Sequence, residues 1–141
     1  MRIVTLCLLF CVFFVGLATA QNKTNKKMPK IYLELAKAKF PEGGHESLAS
    51  PKGQYIVCQK IHGGTVERPE TTVHYFVYDG KSKKKIYEST IANGSLKWIS
   101  DTEIEIQNIP GNPRAFTTGD DYAYIYNAKT QKLTKKVPLK D

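Results

Sequence analysis

The chain has 141 residues, three cysteines and a formal net charge of +8. Two cysteines, Cys7 and Cys11, lie in an apolar leader, so the mature chain keeps only Cys58 and an internal disulfide is excluded. From Ile31 onward the chain has 16 basic and 13 acidic residues. The folded part is therefore only mildly basic, and its length suffices to bury a single core.

Residues 1–20 have the layout of a cleaved secretory signal. Arg2 precedes a continuous apolar run that ends in the small residues 18–20. The run is short for a membrane span, which needs roughly 20 residues, and a retained anchor helix is the alternative. We expect cleavage after Ala20, a periplasmic or secreted protein, and no membrane span in the mature chain.

Residues 21–30, "QNKTNKKMPK", form a basic arm with four lysines and no acid. The stretch is polar and has no hydrophobic period, so we expect a flexible tether. Basic arms also bind nucleic acid or anionic surfaces. An exported protein rarely meets nucleic acid, so the sequence favours the solvated tether and predicts no nucleic-acid partner.

Residues 30–40, "KIYLELAKAKF", fit two structures. The apolar residues Ile31, Leu33 and Leu35 alternate as in a strand. The preceding proline and the lysines toward the end of the segment suit a helix. We favour a strand, with a short helix as the alternative.

From residue 53 onward the hydrophobic period is two almost throughout. Four runs are rich in β-branched and aromatic residues or alternate strictly, and clusters of Gly, Pro, Asn and Asp separate them. This spacing, without helical segments between the runs, predicts an antiparallel all-β fold. In the third run Glu103 and Glu105 are expected on a wet face. The runs are 53–61, 71–79, 102–109 and 121–127.

A similar sequence pattern occurs twice in the chain. "YDGKSKKKIYES" begins at Tyr78, and "YNAKTQKLTKK" begins at Tyr126, 48 residues later. Upstream of each, Ser50 and Ser100 open a turn before a strand. Self-similarity at this period is typical of repeated structural units. Each unit is predicted to hold four strands: a short first strand, a strand after the serine turn, a tyrosine strand and a lysine strand.

The two units resemble the blades of TolB-type β-propellers. That family carries a "W-S-P-D-G-K-x-I-x-F" stretch followed by "I-Y-V-Y-D-x-x-T-G-K". Here the counterparts are "ASPKGQYIVC" and "YFVYDGKSKK" in the first unit, and "KWISDTEIEI" and "YIYNAKTQK" in the second. The resemblance covers residues 44–137. Two units are too few to close a propeller, which needs roughly four to eight blades.

The resulting expectation is one β domain over residues 31–141, with blade-like repeats at 44–90 and 94–137. Its two four-stranded antiparallel sheets would form a sandwich or a truncated propeller. An exposed sheet face could instead make a homodimer. Core candidates are Trp98, Phe76, Ile104 and Ile125.

The candidate binding residues are lysines near the last strand of each unit. That strand is expected at a sheet edge, where lysines prevent edge-to-edge aggregation. The functional alternative is a basic rim that binds an anionic envelope polymer or an acidic protein, with Tyr75, Tyr78, Tyr122 and Tyr124 nearby. We favour edge protection. The candidates are Lys81, Lys83, Lys84, Lys85, Lys132 and Lys135, followed by Lys136.

The sequence shows no recognisable catalytic set. His45, His62 and His74 have no spacing that would place two imidazoles on one metal. Asp101, Asp120 and Asp121 lie in predicted turns, where aspartate bonds to its own backbone. A nucleophile elbow, a phosphate-binding loop and a cysteine cluster are all missing, and Cys58 reads as a small buried hydrophobe. No metal or cofactor is predicted.

Three hypotheses follow from these observations. The first is an exported non-catalytic β module with a binding or structural role in the cell envelope. The second is an inhibitor or immunity protein that blocks an envelope enzyme. The third is a small metal-dependent hydrolase that uses one of the histidines with a loop aspartate.

Overall fold

The computed structural model of the protein describes residues 27–110 and 119–136. The predicted signal, most of the basic arm and part of the loop before β7 lie outside the described residues. The elements are α1 (Lys30–Lys39), β1 (Glu46–Ala49), β2 (Tyr55–Gly63), β3 (Thr71–Asp79), β4 (Lys84–Ala92), β5 (Ser95–Trp98), β6 (Glu103–Gln107), a 3-10 turn (Gly119–Tyr122), β7 (Ala123–Asn127) and β8 (Lys132–Lys135).

The strands form two four-stranded antiparallel sheets, which confirms the predicted fold class. The order is β1-β2-β3-β4 in the first sheet and β5-β6-β7-β8 in the second. Each sheet is a meander, in which every strand pairs with its neighbours in sequence. The lysine-bearing strands β4 and β8 therefore lie at sheet edges, as predicted.

The two sheets are copies of one unit in register as well as in order. In the first sheet Tyr78 pairs with Ile56, and in the second its counterpart Tyr126 pairs with Ile104. The same backbone hydrogen bond follows each tyrosine strand. Gly80 N donates to Gln54 O at 2.8 Å, and Ala128 N donates to Thr102 O at 2.7 Å.

Equivalent faces of the two sheets point in the same direction. Tyr78 lies on the face of the first sheet that packs against α1. Its counterpart Tyr126 lies on the face of the second sheet that packs against the first. The units therefore stack head to tail, as successive units of a repeat array do. The helix α1 occupies the position that a preceding unit would take.

The core between the sheets is rich in aromatic residues. Tyr87 of β4 stacks on Tyr126 of β7 with ring centroids 4.3 Å apart. Tyr55 stacks on Trp98, whose indole Nε1 donates to the carbonyl oxygen of Leu48 at 2.9 Å. These contacts fix the second sheet on the first. The fully buried members of this core include Val57, Val73, Tyr75, Val77, Ile104 and Tyr126.

The predicted strand at residues 30–40 is wrong, because this segment is the helix α1. Its buried residues Tyr32, Ala36 and Phe40 recur every four residues, so they line one helical face. That face covers the first sheet. Ile31 and Leu33, which suggested a strand, are 41% and 49% exposed. Among the described residues, no helix combines the length and the apolar character that a membrane crossing requires.

Three of the four core candidates lie in or against a core, as predicted, and Ile125 does not. Ile104 is buried between the sheets and Trp98 packs against that core. Phe76 is fully buried, but it belongs to the separate cluster under α1. Ile125 pairs with Glu105 and points away from the first sheet, because neighbouring residues of a strand alternate between faces.

Candidate functional site

Four turns lie at one end of the stacked sheets. In a meander the connections β1–β2 and β3–β4 leave the sheet at the same end, and the same holds for β5–β6 and β7–β8. An ion pair joins the two sheets at this end, with Lys52 Nζ 2.8 Å from Asp101 Oδ2. We call this surface the turn end; it comprises residues 50–54, 80–84, 99–102 and 128–132.

The β3–β4 and β7–β8 turns are held by the same side-chain device. Asp79 accepts hydrogen bonds from Lys81 N at 3.0 Å and from Ser82 N at 3.2 Å. Asn127 accepts them from Lys129 N at 3.1 Å and from Thr130 N at 3.0 Å. An Asp or Asn side chain stabilises a turn in this way, by accepting hydrogen bonds from the backbone N–H groups two and three residues further along the chain.

Each of these turns ends in a left-handed residue, where glycine is the usual choice. Lys83 has a φ of 57° and Gln131 a φ of 54°. A long side chain thus replaces glycine at the matching place in both turns. The exposed side chains of the turns consequently point outward in two matching sets.

The structure separates the predicted lysines into two groups. At the turn end lie Lys81, Lys83, Lys84 and Lys132, together with Lys129, which the sequence analysis did not select. Lys85 instead pairs with Tyr78 on the face covered by α1 and binds Glu88, which also binds Lys39. Lys135 pairs with Tyr124, three residues along β8 from the turn end.

The turn end carries unbalanced positive charge. Lys52 is neutralised by Asp101, and the hydrogen bond between them raises the pKa of Lys52. Burial alone would raise the pKa of Asp79, but hydrogen bonds from Ser82, Lys81 N and Gln54 hold it below its ordinary value. Within residues 27–110 and 119–136, five lysines of this surface make no ion pair. They are Lys81, Lys83, Lys84, Lys129 and Lys132.

The predicted tyrosine platform does not lie beside these lysines. Tyr75 is 1% exposed and Tyr78 is fully buried, because both rings fill the two cores. Tyr124 is half-buried against the core between the sheets. Tyr75 and Tyr78 therefore cannot stack on a sugar or an aromatic ligand, and Tyr122 precedes β7, at the opposite end of the strand from the β7–β8 turn. The exposed side chains of the turn end are mainly lysines, beside Ile99, which is 47% exposed.

Glu105 is buried, which corrects the expectation of a wet face. The residue is 4% exposed, and its carboxylate lies 2.8 Å from both Lys97 Nζ and Lys136 Nζ. Hydrogen bonds from Lys136 and then Lys97 hold the pKa of Glu105 below its ordinary value. The carboxylate is thus part of a structural ion-pair network.

The histidines divide into one structural residue and one pair. His45 stacks on Phe40 with ring centroids 5.9 Å apart. His62 and His74 face each other across β2 and β3, with ring centroids 5.2 Å apart. The spacing of the histidines in the chain does not predict this pair, because the strand register brings the rings together.

Other catalytic chemistry has little support in the described part of the chain. There, no group of three or more His, Cys, Asp or Glu side chains could hold a metal ion. Cys58 is buried, as predicted, and burial raises the pKa of its thiol, which disfavours the nucleophilic thiolate. Asp101 is held in its ion pair, and the side chain of Asp120 lies outside the described residues.

Comparison of the chain with protein-family models, with curated proteins and with solved structures gives no significant match.

Proposed function

We propose that this protein is an exported, non-catalytic β module that binds an anionic partner in the cell envelope through the turn end. One observation carries the proposal: the chain builds the same lysine-bearing turn twice and stacks the two copies side by side. A repeat of the TolB blade type, of which this chain would hold two units, suits such a role.

Edge protection does not account for all of these lysines. It applies to Lys84, Lys132 and Lys135, which lie in the edge strands β4 and β8. Lys81 and Lys129 lie in the turns, beyond the strand edges that need protection. Their charge is therefore available for a partner.

An anionic polymer is the partner that fits best. Stacked sheets lie about 10 Å apart, so the two lysine-bearing turns repeat at about that distance. A polymer with regularly spaced phosphate, sulfate or carboxylate groups could contact both turns at once. An acidic protein segment is the alternative of the same charge.

The test compares two triple variants of equal net charge. The first replaces Lys81, Lys83 and Lys129 with Gln at the turn end. The control replaces Lys27, Lys30 and Lys37, which are exposed elsewhere. Binding of the mature protein to polyphosphate and to polyglutamate is measured by fluorescence anisotropy at low and at physiological salt.

We expect the turn-end variant to lose about tenfold in affinity at low salt and the control to lose much less. The difference should shrink as salt rises, since the screening length falls to about 8 Å at physiological ionic strength. Equal losses in both variants would mean that binding follows net charge alone. That result would contradict the proposed site.

A second candidate function, an inhibitor of an envelope enzyme, is favoured by the loop between β2 and β3. Val66 at its tip is 96% exposed, and a turn from Thr65 to Arg68 holds it, with Thr65 N donating to Arg68 O at 3.0 Å. An apolar tip on a held loop suits insertion into a cleft. If this function is correct, Val66→Asp abolishes inhibition of a target hydrolase while the turn-end variant retains it.

A further inference from the structure

The first sheet brings two imidazoles together on its α1 side, beyond the end of the helix. His74 pairs with Lys60 and His62 pairs with Thr72, so the histidines are diagonal neighbours on one face of the ladder. Their rings are almost perpendicular, at 83°, with centroids 5.2 Å apart. Two imidazoles at this separation can direct one nitrogen each toward a shared ion.

A third residue orients one of the rings. His74 Nδ1 lies 3.0 Å from Thr90 Oγ1, its cross-strand neighbour on β4. When Nδ1 donates to this hydroxyl, the lone pair of Nε2 is left to bind a ligand. Histidines that bind metals commonly use their other ring nitrogen in this way, and the hydrogen bond fixes both tautomer and orientation.

Solvent and ions can reach His62 directly, whereas His74 is half-buried beside it. His62 is exposed and lines an open cleft of about 560 Å³ together with Thr72 and the following loop. The same cleft is lined by Glu67 and Glu70, whose carboxylates favour a cation, and by Arg68, whose positive charge offsets one of them. Because the described residues hold no group of three or more metal-binding side chains, the remaining ligands of an ion here would be water.

The charged groups around the pair are largely balanced. Lys60 is paired with Glu42 at 3.7 Å, and Lys39 of α1 binds Glu88 of β4. Burial lowers the pKa of His74, and the charges of His62 and Lys39 lower it further.

We propose that His62 and His74 form a surface site for a divalent ion of the late first transition series, such as Zn²⁺ or Ni²⁺. Imidazole nitrogen is a preferred ligand of these ions. The site lies on a different surface from the turn end and is independent of the proposed binding function.

The experiment titrates the mature, untagged protein with Zn²⁺ and with Ni²⁺ by isothermal titration calorimetry at pH 7.5. We expect one ion per chain. His62→Gln and His74→Gln should each weaken binding by about tenfold or more, and the double variant, which keeps neither imidazole, should bind no more tightly than the weaker single one. Thr90→Val keeps both ligands, so its expected loss of about tenfold would identify Thr90 as a positioning residue.

The matched control is His45→Gln, which removes the third histidine and should leave the affinity unchanged. Circular dichroism of each variant checks that the fold is intact, and the exposed His62 offers a substitution with little effect on folding. Absence of binding at millimolar metal would overturn the proposal. So would undiminished binding by the double variant, or an equal loss in His45→Gln.

Discussion

Asp79 and Asn127, which are 48 residues apart in the chain, cap equivalent turns with the same pair of hydrogen bonds to the backbone. One side chain is charged and the other is neutral. The geometry of the turn therefore does not depend on the charge. A comparison of the Asp79 turn with the Asn127 turn therefore separates the contribution of hydrogen bonding from that of charge.

Replacing Asp79 with Asn should change the free energy of unfolding at pH 7 by less than about 0.5 kcal/mol, since the amide can accept the same bonds. Asp79→Ala should cost about 1 kcal/mol. The pKa of Asp79 is lowered in the folded protein. The stability linked to its charge is therefore present above about pH 4 and is lost as the pH falls through the folded-state pKa.

Urea unfolding of the wild type and Asp79→Asn at pH 5 and pH 3 measures this linkage. The wild type should lose more stability than the variant between the two values. Parallel losses would show that the charge of Asp79 contributes nothing.

Trp98 joins the two sheets through its ring and its indole nitrogen. Trp98→Ala removes both the stacking on Tyr55 and the hydrogen bond to Leu48 O, and we expect it to cost about 3 kcal/mol. Trp98→Phe keeps an aromatic ring but loses the hydrogen bond and part of the ring contact, so it should cost at least about 1 kcal/mol and less than the alanine variant. Denaturant unfolding followed by circular dichroism measures both. A cost below about 0.5 kcal/mol for the alanine variant would mean that this contact does not stabilise the fold.

The strands and their repetition could be predicted because the signals are local. Alternating side chains mark the strands, and the Asx residues Asp79 and Asn127 mark matching turns. The helix was missed because Ile31 and Leu33 suggested a period of two. The helical face that contains Tyr32 is stabilised by packing on the first sheet. This tertiary contact is not visible in the local sequence.

The site was predicted less completely, because it depends on register. A β-bulge between Val77 and Tyr78 shifts the pairing, so Tyr78 faces Lys85 and not Ile86. This shift turns Lys85 toward α1 and away from the turn end. The ring contact between His62 and His74 likewise follows from the register of β2 on β3, which no spacing in the sequence reveals.

The position of α1 leads to a test with a matched control. Tyr32 is fully buried against Tyr78 and Phe76, so Tyr32→Ala should cost about 3–4 kcal/mol. Leu33, the next residue, is 49% exposed, and Leu33→Ala should cost less than about 0.5 kcal/mol. Thermal and urea unfolding measure the two variants. The reverse order of costs would contradict the helical docking.

Glu105 should stabilise the second sheet in a pH-dependent way. Glu105→Gln preserves the shape but weakens two charge-assisted hydrogen bonds, at a cost of about 1–2 kcal/mol at pH 7. Because the pKa of Glu105 is lowered, this advantage exists above about pH 4 and disappears as the pH falls further. Lys97 is 60% exposed, so Lys97→Gln, which removes one partner and keeps the Lys136 pair, should cost less than about 1 kcal/mol. Urea unfolding at pH 7 and pH 3 measures these costs. If Glu105→Gln cost the same at both pH values, the linkage would be contradicted.

The lysines of the edge strands should act mainly on solubility. Lys84, Lys132 and Lys135 lie in β4 and β8, whose outer backbone groups could pair with another chain. Replacing these three with Gln should raise aggregation, because an uncharged strand edge can recruit a second edge. The turn-end variant at Lys81, Lys83 and Lys129 loses the same charge and leaves the strand edges protected. Static light scattering at increasing protein concentration compares the two. Equal aggregation in both variants would assign the effect to net charge, whereas the geometry of the sheets predicts that only the edge variant aggregates.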